Sequence, residues 1–282
     1  MMNTIQEGCC VSIMQKIEDN FIDLTITSPP YDDLRNYNGY DFNFEKIADE
    51  LFRITKEGGV VVWVVGDATI KGSETGTSFK QALYFMEIGF NLHDTMIYHK
   101  DNPPPVGGNN RYYQGFEYMF VFSKGKPKTF NPLARKRRNK WNDNRTVRYR
   151  GITRNQDGEF VKKEIKVKKI VKLNNVWKYM VGGGISTSDK EAFKHPAIFP
   201  EQLANDHILS WSNPNDIVLD PMCGSGTTCK MAKINNRQFI GIDISPEYCK
   251  IAKERLDVVE YEEFQKQLFK VKGMTSEEDL IL

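Results

Sequence analysis

Short apolar runs and stretches of helical period take turns along most of this chain. Phe21-Ile22-Asp23-Leu24-Thr25-Ile26-Thr27 reads as a buried strand, stopped by Ser28-Pro29-Pro30 because proline cannot continue a central ladder. Asn43 is placed to cap a helix whose apolar positions Phe44, Ile47, Leu51 and Ile54 recur at helical spacing, with Gly58-Gly59 ending it before a strand from Val60 to Val65. Residues 78–86 predict another helix, and 90–99 and 117–122 two further strands. Between those strands, 101–115 holds Pro103-Pro104-Pro105, Gly107-Gly108 and Asn109-Asn110, a loop long enough to be a lid. Val161, Ile165, Val167, Ile170 and Val171 interleave with lysines in a β-like stretch from 162 to 172, and Gly182-Gly183-Gly184 with Ser186-Thr187-Ser188 marks a joint.

The last third is the most regular. A helix near 200–211 leads to a buried strand at 216–220, a tight turn at Gly224-Ser225-Gly226, a helix start at 227–232 and a second strand at 239–243. Pro246 then opens a helix that runs through Leu256. This alternation predicts an α/β fold, a doubly wound and mostly parallel sheet with helices on both faces.

Composition narrows the class. A chain of 282 residues, 40 % hydrophobic and 27 % charged, is long enough to bury a sizeable core. The longest apolar run, Val60 to Val65, falls far short of the ~20 residues of a membrane helix, and Met1 to Cys10 lacks the basic-then-apolar order of a signal peptide, so a soluble cytoplasmic protein with no membrane partner is expected. Cys9, Cys10, Cys223, Cys229 and Cys249 form no C-x-x-C pair, which argues for reduced thiols and against a metal site.

Charge changes the picture more. Residues 124–178 hold 19 Lys plus Arg against 4 Asp plus Glu, a net of +15, so the remainder of this +2 chain is −13. Such asymmetry points to a polyanion held by one module. Arg135, Arg137, Arg138, Lys140, Arg148 and Arg150 are the candidate phosphate and base contacts, and Trp141 and Tyr149 among them suit stacking. The plain alternative is a solvated lysine-rich hairpin.

Two short motifs carry candidate chemistry. A strand ending in Asp220, followed by Pro221-Met222-Cys223-Gly224-Ser225-Gly226-Thr227-Thr228, offers a backbone that a ligand can approach closely, and Asp243 at the end of the next strand can accept ribose hydroxyls. A nucleoside-containing ligand follows. Neither a dinucleotide fingerprint nor a phosphate loop is complete, because Cys229 stands where a third glycine belongs and no lysine precedes Lys230. Ser28-Pro29-Pro30-Tyr31 places a hydroxyl, a carbonyl outside any ladder and an aromatic face in one loop. Two acceptors and a ring can hold a planar amine, favour its pyramidalisation toward a methyl donor and stack on its base.

Together these residues resemble the bacterial amino-group DNA methyltransferases that use S-adenosylmethionine. Ile26-Thr27-Ser28-Pro29-Pro30-Tyr31 is similar to the family's catalytic motif, Asp220 to Thr228 to its cofactor loop, and Lys194-His195-Pro196-Ala197-Ile198-Phe199-Pro200 to the segment that closes over the methionine part. The order, catalytic motif first and cofactor loop last, is that of the beta subclass. The resemblance implies a Rossmann-like methyltransferase fold in permuted order, with a catalytic part at 1–123, a target-recognition region at 124–190 and a cofactor-binding part at 191–282. It further implies Ser28, Pro29, Pro30 and Tyr31 as catalytic residues. Asp220, Pro221, Met222, Cys223, Gly224, Ser225, Gly226, Thr227, Thr228, Asp243, His195 and Pro196 would contact S-adenosylmethionine, and Phe116-Glu117-Tyr118-Met119-Phe120 would lie near the target base. Double-stranded DNA is the implied partner, and a homodimer and a restriction endonuclease partner are both compatible with the family.

Two departures qualify the resemblance. Gly8-Cys9-Cys10 stands where many members have Gly-Asp, which puts that aspartate's cofactor contact in doubt. Members with serine at the head of the proline motif mostly methylate cytosine N4 and those with aspartate mostly adenine N6, so the resemblance implies cytosine N4 over adenine N6; a serine hydroxyl can also donate to the cytosine ring nitrogen while accepting from the amine. The rival readings are a relative acting on protein glutamine or RNA, a catalytically silent DNA-binding module, and a nicotinamide dehydrogenase. His93, His99 and His207 are expected to be structural.

Overall fold

The computed structural model describes residues 1–30, 42–103, 105, 110–136, 146–147, 152–154, 157–162, 165–166, 170–182, 185–187, 189–195, 200–257 and 259. Tyr31, part of the 101–115 loop, the Gly183-Gly184 joint, Arg137, Arg138, Lys140, Arg148, Arg150 and Pro196 lie outside those residues. The described residues divide into two units, one holding those of 1–131 and 174–259, the other those of 132–173.

The first unit opens with β1 (Thr4–Glu7), α1 (Cys10–Met14), β2 (Ile22–Thr27), α2 (Phe44–Ile54) and β3 (Thr55–Val65). The small pair β4 (Thr69–Ile70) and β5 (Ser73–Glu74) precedes α3 (Thr77–Glu87), β6 (Asn91–Lys100) and β7 (Phe116–Ser123). The second unit contributes β8 (Ala134–Lys136), β9 (Thr146–Val147), β10 (Ile152–Arg154), β11 (Phe160–Lys162), β12 (Ile165–Lys166) and β13 (Ile170–Lys172). The first unit resumes with β14 (Val176–Tyr179), a 3-10 turn at Lys190–Lys194, α4 (Glu201–Trp211), β15 (Ile217–Asp220), α5 (Thr227–Ile234), β16 (Gln238–Asp243) and α6 (Pro246–Asp257).

Eight strands form one sheet in the order β1-β16-β15-β2-β3-β7-β6-β14. Every neighbouring pair is parallel except those of β7, which runs against both β3 and β6. Both faces are covered, and so β3 is buried at every position from Val60 to Val65 rather than at alternate ones. Val61, Trp63 and Val65 pack with Ile13, Met14, Ile47, Leu51 and Phe85 of α1, α2 and α3. On the opposite face Leu24, Ile26 and Val218 are fully buried, as are Leu203 of α4, Met231 of α5 and Ala252 of α6. Trp63 completes its polar edge by donating its indole N–H to Gln81 Oε1 at 2.8 Å.

The Asn43 cap forms as the pattern predicts, its side-chain oxygen accepting from the Lys46 N–H at 3.1 Å. The helix end does not. Helix α2 stops at Ile54 and β3 begins at once, carrying Gly58-Gly59 inside the strand instead of before it. Thr55 turns the chain by donating its hydroxyl to the Leu51 carbonyl at 2.6 Å, and Gly58, at φ +79°, sends its N–H to the Lys124 carbonyl at 2.7 Å. Strands β1 and β14, at the two edges of the sheet, and the short α1 carry no pattern that predicts them.

In the second unit the described residues of 160–172 form three short strands, β11, β12 and β13, in place of one β-like stretch from 162 to 172. Their pairings nest: β8 with β13, β9 with β12, β10 with β11, all antiparallel. The described pieces are thus arms of one interrupted ribbon that doubles back between Arg154 and Phe160.

Candidate functional site

In an open parallel sheet a ligand binds beyond the carboxyl ends of the strands. Here β2 and β15, which end in Thr27 and Asp220, are hydrogen-bonded neighbours. The ladder of β2 with β3 ends at Thr27 opposite Trp63, and Ser28, Pro29 and Pro30 follow beyond it, with Pro29 buried. The turn from Pro221 to Gly226 leaves from the end of the adjacent strand.

Two hydrogen bonds tie these loops together across the sequence. Thr27, fully buried, donates its hydroxyl to Asp220 Oδ1 at 2.8 Å, and Thr228 donates to the Ile26 carbonyl at 3.3 Å. Asp220 Oδ1 also accepts the Met222 N–H at 3.2 Å. Burial pushes the Asp220 carboxyl up to about 6, against the opposite pull of hydrogen bonds from Thr27, Thr228 and Met222. Thr27, which the motif reading includes without a role, joins the two candidate loops. A hydroxyl at the last, buried position of an apolar strand is the signal that could have found it.

Asp243 ends β16, the neighbour of β15 on the other side. Its Oδ2 accepts the Gly224 N–H at 2.8 Å and its Oδ1 the Ser245 N–H at 2.9 Å, so the carboxylate is fixed in orientation while each oxygen retains further acceptor capacity. Burial raises its pKa, against the opposite pull of the Ser245, Gly224 and Ile244 N–H groups. The Gly8 N–H reaches the Asp243 carbonyl at 2.9 Å, which brings Gly8-Cys9-Cys10 to this corner, with Cys9 exposed at the start of α1.

Two glycines shape the turn. Gly224, at φ +48°, lies where an added Cβ would stand 2.8 Å from His195 Nε2, and Gly226, at φ +77°, where it would stand 2.8 Å from the Ala252 Cβ. Left-handed backbone and close approach both require glycine there. His195 thus leans over the turn, its ring edge-on to Tyr248 at 4.3 Å between centroids. Glycines without room for a Cβ, two oriented carboxylates and an overhanging imidazole fit a nucleoside attached to a small zwitterion.

The remaining candidates divide. Ser28, Pro29, Pro30, Asp220, Pro221, Met222, Cys223, Gly224, Ser225, Gly226, Thr227, Thr228, Asp243 and His195 all lie in the first unit, along this sheet edge or its loops. Arg135 lies in the second unit, exposed on β8 opposite Val171. His207 is fully buried with Nε2 3.2 Å from Met119 Sδ, and burial pushes it down to about 3. His93 packs edge-on to Trp211 at 5.4 Å, whereas His99 lies 3.1 Å from Asp101 Oδ1. No cluster of potential metal ligands occurs among the described residues, and no helix there is long and apolar enough to cross a membrane.

Comparison with known proteins agrees with this geometry. The sequence profile of the DNA methylase family matches residues 22–254. The orphan methyltransferase M.BamHII of Bacillus amyloliquefaciens is 64 % identical over 244 residues, 86 % of this chain and 91 % of that protein. The type II methyltransferase M.HpaI of Haemophilus parainfluenzae is 31 % identical over 260 residues, 88 % of this chain and 72 % of its own. Among solved structures, the cytosine-N4-specific PvuII DNA methyltransferase superimposes with a TM-score of 0.65 at 18 % identity, covering 95 % of this chain and 91 % of that one, a likeness of fold. M1.HpyAVI, solved as a complex with S-adenosylmethionine (SAM), gives 0.59 at 25 % identity over 90 % of this chain and 99 % of that one.

Proposed function

This chain belongs to the DNA methylase family, and from that premise we propose that it transfers the methyl group of S-adenosylmethionine to cytosine N4 in duplex DNA. The observation that carries the reading is the seam between β2 and β15, where Thr27 and Asp220 bind each other one residue from the Ser28-Pro29-Pro30 loop and at the head of the glycine turn.

When bound, S-adenosylmethionine supplies an electrophilic methyl group on a sulfonium sulfur. The chain's residues do the rest. Asp243 would hold the ribose hydroxyls of the cofactor and Asp220 its ammonium, the turn shaped by Gly224 and Gly226 would carry it, and His195 with Pro196 would close over it. Ser28 Oγ and the Pro29 carbonyl accept the two N–H groups of the target amine. Its lone pair is thereby drawn out of conjugation and aimed at the methyl group. Tyr31 stacks on the base. Serine at the head of the proline motif, as in the family members that mostly methylate cytosine N4, is the ground for placing the methyl on N4, and the same hydroxyl can donate to the ring nitrogen beside the amine.

A base inside a duplex cannot reach this loop, so it flips out, at a cost of about a few kcal/mol that phosphate contacts offset. We assign those contacts to the +15 stretch, with Arg135, Arg137, Arg138, Lys140, Arg148 and Arg150 as donors. In this reading 1–123 is the catalytic part, 124–190 carries the target reader in its 132–173 unit, and 191–282 completes the cofactor site. The cytoplasm, where bacterial DNA and the cofactor meet, is its compartment.

Labelled methyl transfer to mixed-sequence duplex DNA, followed by nucleoside digestion and mass analysis, tests the assignment. The expected product is N4-methylcytosine, reduced about a hundredfold or more in Ser28→Ala. N6-methyladenine would move the acceptor to the other base, and cofactor and DNA binding without transfer would identify a silent DNA-binding module.

A further inference from the structure

Beneath the glycine turn, four charged side chains from four parts of the chain meet out of solvent. Arg255 on α6 is completely buried, and Glu201, Lys230 and Asp189 have side chains only 7 %, 12 % and 15 % exposed. Arg255 Nη2 and Lys230 Nζ each donate to Glu201 Oε1 at 2.8 Å, and the Thr187 hydroxyl reaches the same oxygen at 2.8 Å. Arg255 Nε donates to Asp189 Oδ2 at 2.7 Å, with Lys230 Nζ 3.5 Å from that oxygen. The two cations and two anions balance.

Such a cluster is a poor way to gain stability. The position on α6 lies among buried Cys249, Ile251, Ala252 and Leu256, where an apolar side chain would avoid the desolvation of a guanidinium. What the arginine does provide is a planar fork that can hold several acceptors in fixed directions. Its Nη1 is spent on the cofactor turn, donating to the Ser225 carbonyl, to Ser225 Oγ at 3.1 Å and to Thr227 Oγ1 at 3.3 Å. Its Nε holds Asp189, whose other oxygen caps the 3-10 turn by accepting the Glu191 N–H at 3.1 Å. That turn ends in His195, the residue that leans on Gly224. A single side chain therefore fastens the floor of the proposed cofactor pocket and the segment that overhangs it.

We propose that Arg255, braced by Asp189, Glu201 and Lys230, is a positioning residue that locks the 224–227 turn and the 187–195 segment into the arrangement that accepts S-adenosylmethionine. The inference rests on the cofactor site proposed above and names no new contact with the cofactor itself.

The test measures binding of S-adenosylmethionine and S-adenosylhomocysteine by calorimetry without DNA, DNA affinity by anisotropy, and thermal melting, on the full chain. Asp189→Asn keeps the size of the side chain and removes the charge that Arg255 Nε holds, and Arg255→Lys keeps the charge and removes the fork. Each is expected to weaken both adenosyl ligands about tenfold, as for loss of one charge-assisted hydrogen bond. The double variant should lose no more than the worse single one, because both break the same tie. The KM for the cofactor should rise by the same factor while kcat moves less, and DNA affinity should stay within about twofold.

Three results would overturn the proposal: a cooperatively melting Asp189→Asn protein that binds both ligands like the wild type, fully additive losses in the double variant, or parallel loss of DNA and cofactor affinity. Asp189 is the decisive position if Arg255→Lys does not fold. Asp243→Ala in the same calorimeter separates the two readings. Unchanged binding there removes the cofactor site, whereas lost binding there with intact binding in Asp189→Asn removes only the positioning role.

Discussion

At the scale of single residues, Asp220 and His207 show burial working on opposite charges. The Asp220 carboxyl is raised to about 6 from its ordinary 3.8, so the native state holds its proton more tightly than the unfolded chain. Its contribution to stability is complete below pH 3.8 and is lost as pH rises through about 6. His207 is lowered to about 3 from 6.5, so its contribution is complete above 6.5 and is lost as pH falls through about 3. Function adds a separate dependence. If Asp220 faces the cofactor's ammonium, as proposed, affinity for S-adenosylmethionine is expected to fall as pH drops below about 6, since the carboxyl becomes neutral there. Calorimetric titrations between about pH 5 and 8 check this, with Asp220→Asn expected to bind weakly and without the inflection. Thr27→Val is expected to lose about 1–3 kcal/mol in denaturant unfolding, because a buried carboxylate loses the hydroxyl that donates to its Oδ1, whereas Thr27→Ser should retain most of it. The motifs around Thr27 were legible in the sequence, but its bond to Asp220 was not: the partners are 193 positions apart, and no local pattern records which strands lie side by side.

At the scale of elements, legibility followed the strength of local signals. Helix α2 announces itself by four apolar positions and a capping asparagine, and Asn43→Ala should cost about 1 kcal/mol of stability with methyl transfer intact. A shift in denaturant midpoint without a change of slope would be the sign of it. Strands β15 and β16 were equally plain, short apolar runs ending in an acid. Strand β3 was half legible, because Gly58-Gly59 looks like a helix stop. In the fold the pair serves close packing instead, with an added Cβ at Gly59 coming within 3.1 Å of the Asp23 carbonyl. The edge strands β1 and β14 were silent for a different reason. Thr-Ile-Gln-Glu and Val-Trp-Lys-Tyr are too short and too mixed to separate from loop, and only pairing with β16 and β6 makes them strands.

For the whole molecule, the division of charge was the clearest message of the sequence, and it reaches function through salt. If 124–178 neutralises phosphates, DNA affinity should fall linearly on a log–log plot against salt, and Arg137→Ala with Arg138→Ala should flatten the slope by about 2. Anisotropy on unrelated duplexes checks it, and an unchanged slope would take both residues off the phosphate backbone. The reversed strand β7 was beyond sequence reading, since alternation of strands and helices predicts a sheet without fixing which strand turns about.

The nested ribbon has a consequence for how such a protein diversifies. Its two arms enter and leave side by side: the Leu173 N–H meets the Leu133 carbonyl at 2.8 Å, and Ala134 pairs with Lys172. A stretch with adjoining ends behaves as a cassette, which can be lengthened, shortened or exchanged while its sockets keep their spacing. If the ribbon reads the target, as proposed, target preference is inherited separately from methyl transfer, and grafting a foreign ribbon between Leu133 and Leu173 is the natural route to a new one.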